Sequence, residues 1–261
     1  MGVYCNEWTL NAQYTWIRQS TFTNQDAIDP EPLVGMGVWV LNNWFEQLSS
    51  LGQIMSATNI DSQWDLGMDF ADLTMGYPIY EGRYLSMVPF FGVRGLWIRQ
   101  QLDVTIDVPS YIEFDLVTSP ITSYNTANSW AFGPRTGFDV SWLFKYGLRI
   151  EGSAGANLLF TQYSTVQHAE QVASSVDGQL SVRLPNVQTV RPEFDLSLGL
   201  GWGTYIKEDA YYIDFSVQYD FLLLWQQNMM RKLVDQAVAG TGATAGDLYL
   251  QGLAVRAAFY F

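Results

Sequence analysis

Between Tyr211 and Trp225 every second residue is large and apolar. Tyr211, Ile213, Phe215, Val217, Tyr219, Phe221, Leu223 and Trp225 share one parity, and Asp214, Ser216, Gln218 and Asp220 lie between them. A sustained period of two means a strand with one apolar and one polar face. Soluble strands have a mode of ~5–6 residues, whereas about 9–11 tilted residues cross a bilayer. This run is long enough to cross with residues to spare.

The pattern recurs. Trp130, Phe132, Pro134, Thr136, Phe138, Val140, Trp142 and Phe144 alternate with Arg135, Asp139 and Ser141. Phe194, Leu196, Leu198, Leu200 and Trp202 alternate with Glu193, Asp195 and Ser197, and Leu253, Val255, Ala257, Phe259 and Phe261 oppose Arg256. Trp64, Leu66, Met68 and Phe70 change parity to Leu73, Met75 and Tyr77, which reads as a β-bulge near Ala71. Together the runs predict eight strands near 5–18, 62–79, 83–105, 128–145, 147–162, 188–206, 210–225 and 247–261. Tight turns separate some of them. Long loops are expected at 19–61, 106–127, 163–187 and 226–246. Short turns alternating with long loops are the connectivity of outer-membrane barrels.

Composition narrows the alternatives. Of 261 residues 48% are apolar, and only 15% are charged, against about 25% in an ordinary soluble domain. That excludes disorder. Cys5 has no partner, so a disulfide scaffold is excluded. The net charge of −13 argues against nucleic acid as a partner. No apolar run is long enough for a transmembrane helix; Phe221-Leu222-Leu223-Leu224-Trp225 is among the longest. The predicted fold is an all-β, antiparallel, up-and-down transmembrane β-barrel, one domain over 1–261, in a bacterial outer membrane. A soluble β-sandwich would carry Lys and Glu on its polar parity; here lysine occurs only at Lys145, Lys207 and Lys232.

If the apolar parity faces lipid, charge belongs in the lumen, because Arg or Lys at mid-bilayer on the lipid face costs ~2–4 kcal/mol. The expected lumen set is Asp65, Asp69, Asp72, Arg94, Arg135, Asp139, Arg149, Glu151, Arg191, Glu193, Asp195, Asp214, Asp220 and Arg256. Arg99 breaks the parity but lies towards the loop end, where that cost falls. The expected interfacial aromatics are Trp8, Trp16, Trp130, Phe144, Tyr211, Trp225, Phe259 and Phe261. Eight strands enclose an interior that side chains nearly fill, so an open channel and a plugged barrel both remain.

Several motifs resemble the Legionella-type major outer membrane protein family, which has relatives in chlamydia-like bacteria. They are Phe90-Phe91-Gly92-Val93-Arg94-Gly95-Leu96-Trp97-Ile98 and Trp130-Ala131-Phe132-Gly133-Pro134-Arg135-Thr136-Gly137-Phe138-Asp139. Arg191-Pro192 through Gly199-Leu200-Gly201-Trp202, Trp225-Gln226-Gln227-Asn228-Met229-Met230, and Gly246-Asp247-Leu248-Tyr249-Leu250-Gln251-Gly252-Leu253 belong with them. The resemblance implies a pore-forming protein that passes ions and small hydrophilic solutes, with no catalytic residues, cofactor or metal. It also places Trp8–Trp16 at an internal strand, so the chain is expected to be a fragment of a larger barrel, without its first strands and signal peptide. Terminal Phe261 resembles the sorting signal read by the outer-membrane insertion machinery. The implied surroundings are outer-membrane lipid, with homo-oligomers left open.

Other signals are weaker. Leu41, Trp44, Phe45, Leu48 and Met55 form a helical stripe, as do Met229, Met230, Leu233 and Val234. Either could pack on the barrel rim or fold inward. Gly199, Gly201 and Gly203 sit inside a strand, where they relieve crowding rather than bind a dinucleotide. His168 is expected in a polar, solvated loop. Glu193 and Asp195 could suggest glycosidase chemistry, but two acids on one strand face also make a luminal patch.

Overall fold

The computed structural model describes residues 2–5, 8–26, 59–107, 120–172, 179–184, 186–206, 211–230, 232 and 245–260. They contain β1 (Gly2–Cys5), β2 (Trp8–Asp26), β3 (Asn59–Gly76), β4 (Tyr80–Glu81), β5 (Leu85–Asp107) and β6 (Ile121–Leu143). After a 3-10 turn at Lys145–Gly147 come β7 (Leu148–Val172), β8 (Gln179–Leu184), β9 (Val187–Ile206), β10 (Tyr211–Asn228) and β11 (Gly246–Tyr260). All pair antiparallel in one sheet, in chain order, with β4 on β5 and β8 on β7. The fold is the predicted all-β, up-and-down architecture, curled into a half-barrel. Among the described residues no ladder joins β1 or β2 to β11.

The sheet reaches further than the alternation suggested. β2 continues to Asp26 and stays paired with β3 as far as Asp26 opposite Asn59, while β5 and β6 remain paired to Ile106 opposite Ile121. Much of the expected loops at 19–61, 106–127, 163–187 and 226–246 is therefore strand. Ser20, Thr21, Thr23 and Asn24 have no apolar face to reveal a period, and the backbone ladder carries the strand on. The helical stripe at Leu41–Met55 lies outside the described residues, as do Leu233, Val234 and Phe261.

β3 holds the main correction. Its register against β2 and β5 is unbroken through Ala71, so there is no bulge. Leu66, Met68 and Phe70 point to the concave side and are buried, while Leu73 points outward and is exposed. The apolar parity inverts because the surroundings change, not the backbone. On the turn side of Ala71 the convex face is Leu73, Met75 and Tyr77; on the loop side it is Asp69, Gly67, Asp65 and Gln63. On β3 the convex apolar face ends near Ala71, and the apolar side chains beyond it turn inward, out of water.

The same line crosses the other strands. Outward positions run Trp8, Leu10, Ala12, Tyr14, Trp16 and then Arg18 on β2; Phe91, Val93, Gly95, Trp97 and then Arg99 on β5; Phe132, Trp130 and then Asn128 on β6. Inside, Leu66, Met68, Phe70, Leu96, Ile98, Ala131, Leu159, Leu224 and Leu248 form one buried cluster. It joins β3 and β5 to β10 and β11, so the curl brings distant strands into contact. Each large member contributes about 1.5–3 kcal/mol by leaving water.

Candidate functional site

The concave wall carries a ladder of ion pairs. Arg94 grips Asp72 with a fork, Nε donating to Oδ1 at 2.6 Å and Nη2 to Oδ2 at 2.7 Å. Its Nη1 reaches to β9, pairing with Glu193 and, at 3.2 Å, with Asp195 Oδ1. Arg135 closes on Asp195, with Nη2 donating to Oδ2 at 2.9 Å, and Asn157 Nδ2 donates to Oδ1 at 3.3 Å. Arg94 also lies over the Phe70 ring and Arg135 over Phe90. Two buried guanidiniums on β5 and β6 thus tie to two carboxylates on β9. Glu193 Oε2 and Arg191 Nε are buried with no hydrogen-bond partner among the described residues.

A second group sits nearer the turns. Arg149 pairs with Glu151 and with Asp214, Nη1 lying 2.6 Å from Oδ2. Gly201 makes room for it: a Cβ there would stand 2.7 Å from the Arg149 guanidinium carbon. Asp139 accepts from Ser153 Oγ at 2.6 Å. Open space connects the two groups. A volume of about 330 Å³ is lined by Asp139, Glu151, Ser153, Ser197, Gln218 and Arg256. One of about 480 Å³ adjoins it, sharing Ser153, Ser197 and Gln218 and continuing along Asp72, Arg94, Asp195, Asp220 and Gln13.

Of the expected lumen residues, Asp72, Arg94, Arg135, Asp139, Arg149, Glu151, Arg191, Glu193, Asp195, Asp214, Asp220 and Arg256 lie on the concave face. Asp65 and Asp69 do not, and this corrects the sequence expectation. Asp69 is the cross-strand neighbour of Trp16 and Trp97 on the convex face, and Asp65 follows two rows further loopward. Their error follows from the bulge, which assumed one lipid-facing parity along the whole strand. Arg191 is held by Gln226 Oε1 at 2.7 Å, at the loop end.

His168 is a second correction. It is fully buried, bridging Asn125 Oδ1 at 2.7 Å and Glu170 Oε1 at 2.8 Å. Polar neighbours in the sequence suggested solvent, but β7 carries it onto the inner side of the paired sheet. Met229 also packs inward, against Tyr163 and Val166, and Tyr163 Oη donates to the Gln227 carbonyl at 3.0 Å. No period in the sequence marks these partners, which come from strands far apart in the chain.

The aromatics behave as a girdle. Trp8, Trp16, Trp130, Phe144, Trp225 and Phe259 are exposed, and Tyr211 stacks on Phe259 at 5.6 Å. Trp130 meets Phe160, and Phe194 meets Trp225, near the loop end of the apolar band. Together with Leu196, Leu198 and Leu200, which are more than half exposed, they form a continuous greasy exterior. A surface of this extent is stable only in lipid.

No curated protein and no solved structure matches the chain. A family profile described as Legionella pneumophila major outer membrane protein precursor matches residues 4–261. Greasy outside, charged within, and matched along nearly its full length, the chain belongs to that family of bacterial outer-membrane proteins.

Proposed function

We propose that the chain forms part of a narrow aqueous pore that passes ions and small hydrophilic solutes by passive diffusion. One observation carries this reading: two adjoining spaces, the first lined mainly by polar side chains and the second by polar and apolar ones, share a wall at Ser153, Ser197 and Gln218 and run from the turn end past the Arg94–Asp195 ladder. Carboxylates outnumber arginines on it, which favours cations. Glu193 and Asp195 are bound by Arg94 and Arg135, an arrangement that suits a pore wall rather than an acid–base pair. No catalysis is part of this reading. Insertion through the terminal strand fits β11, whose outer edge pairs with no strand among the described residues and so suits strand addition.

A specific observation favours a second reading. The buried cluster around Met68, Leu159 and Leu96 spans the interior at the loop end, as in a non-conducting barrel that acts through its loops. Planar-bilayer recording separates the two. A pore gives discrete steps and a reversal potential on the cation side in a salt gradient. Absence of steps supports the plugged barrel, and anion preference refutes the assigned selectivity. Sizing of the detergent-solubilised protein tests for homo-oligomers.

A further inference from the structure

The convex face carries a polar site that a pore does not need. Two rows of outward side chains cross β2, β3, β5 and β6 in register. The first is Trp16, Asp69, Trp97 and Trp130; the second, one row loopward, is Arg18, Gly67, Arg99 and Asn128. Turnward of them the face is apolar, and loopward it is Ser20, Asp65, Gln101 and Thr126. The two arginines therefore stand on the line where the lipid-facing surface ends.

Their geometry leaves donors free. Arg18 Nη2 donates to both Asp69 oxygens, at 2.8 and 2.9 Å, and Nη1 to the Ile17 and Met68 carbonyls, each at 2.8 Å, which leaves Nε as its free donor. Arg99 touches Asp69 only through Nη2, at 3.2 Å. Arg18 Nε and Arg99 Nε and Nη1 have no partner among the described residues. The Arg99 side chain is 66% exposed, so this arginine is available to a ligand. Asp69 serves as an anchor that aims both guanidiniums. Gly67 lies between them: a Cβ there would make ordinary contact with Arg18 Cδ at 3.7 Å and Arg99 Cβ at 3.8 Å, so a larger side chain at 67 would enter the space between the guanidiniums.

Two depressions meet at Arg99. One, about 660 Å³, carries the charged and amide side chains Arg18, Asp65, Arg99, Gln101 and Asn128. The other, about 640 Å³, includes Tyr14, Trp97 and Trp130. A charged space beside an aromatic one suits an amphiphile lying along the wall.

We propose that this notch binds the phosphorylated sugar headgroup of a membrane lipid, with phosphate between Arg18 and Arg99 and an acyl chain beside Trp97 and Trp130. Guanidinium forks match phosphate oxygens. Asn128 beside Arg99, and Asp65 and Gln101 one row on, supply partners for sugar hydroxyls, and Asp65 disfavours a second phosphate there. Long loops of bacterial barrels face the cell exterior, which puts the notch at the outer-leaflet headgroups.

The test uses the full chain folded in detergent micelles, with folding checked by its heat-dependent gel mobility. Native mass spectrometry compares retention of bis-phosphorylated lipid A with that of its dephosphorylated form. The expected result is about tenfold preference for the phosphorylated lipid, in line with charge-assisted forks. Arg99→Gln and, independently, Gly67→Asp abolish that preference, while Arg83→Gln in the far turn preserves it. Equal retention of the two lipids overturns the proposal, as does a preference that survives both substitutions. Displacement of the phosphorylated lipid by millimolar inorganic phosphate overturns the lipid assignment in favour of a free-anion site. These readouts are independent of conductance, so they stand or fall separately from the pore.

Discussion

Leu198 on β9 offers a direct measure of what the outer face touches. It points outward, is 63% exposed, and lies midway between Phe194 and Trp202. At about 3.3 Å per residue each aromatic is ~13 Å away along the strand, or ~9 Å in depth at a tilt near 45°. Leu198 thus sits close to the bilayer midplane. Arginine there is expected to cost ~2–4 kcal/mol, which lowers the folding equilibrium constant about 30- to 900-fold. Gln101 on β5 also points outward but lies loopward of Arg99, so Gln101→Arg should cost only ~0–1 kcal/mol. Reversible urea titration of both variants into phospholipid vesicles, followed by tryptophan fluorescence, gives the two values. Equal costs at the two positions would refute the placement of the lipid boundary. A Leu198→Arg protein that folds fully without lipid or detergent would refute the membrane assignment altogether.

Further outcomes follow from the interior. Arg94→Ala leaves Asp72 and Glu193 without their shared cation, and breaking such a buried network costs about 3–5 kcal/mol; the midpoint of the same urea titration should fall accordingly. If the pore reading holds, single-channel conductance of that variant rises. Met68→Ala opens a cavity in the buried cluster and should cost about 2–5 kcal/mol, an effect absent if the loop-end interior were water-filled. Single cysteines replacing Asp65 and Leu66, in a Cys5→Ala background, should differ sharply towards a membrane-impermeant maleimide. The first should label fast and the second slowly, because Leu66 is buried on the concave side while Asp65 points outward beyond the apolar band.

Much of this protein was legible along the chain. Alternation at Tyr211–Trp225 and Phe194–Trp202 announced antiparallel strands in lipid, because a uniform apolar solvent imprints one strict parity. The charges on the other parity of β9, Glu193 and Asp195, lie on the concave face for the same reason. Where the solvent changes along a strand, parity loses its meaning. On β3 the inversion at Ala71 looked like a backbone irregularity, and only the continuous ladders to β2 and β5 showed that the strand leaves the membrane instead. Asp65 and Asp69 went to the wrong face on that account.

What the sequence determined alone is the alphabet of the two faces: a local property, set by the two-residue repeat and the cost of charge in lipid. What only the tertiary structure decided is which distant residues meet. Arg94 finds Glu193, His168 finds Asn125, and Arg18 and Arg99 converge on Asp69 because the curl and the register place them together. Register and curvature are cooperative outcomes of every ladder at once, so no single stretch of the chain encodes them.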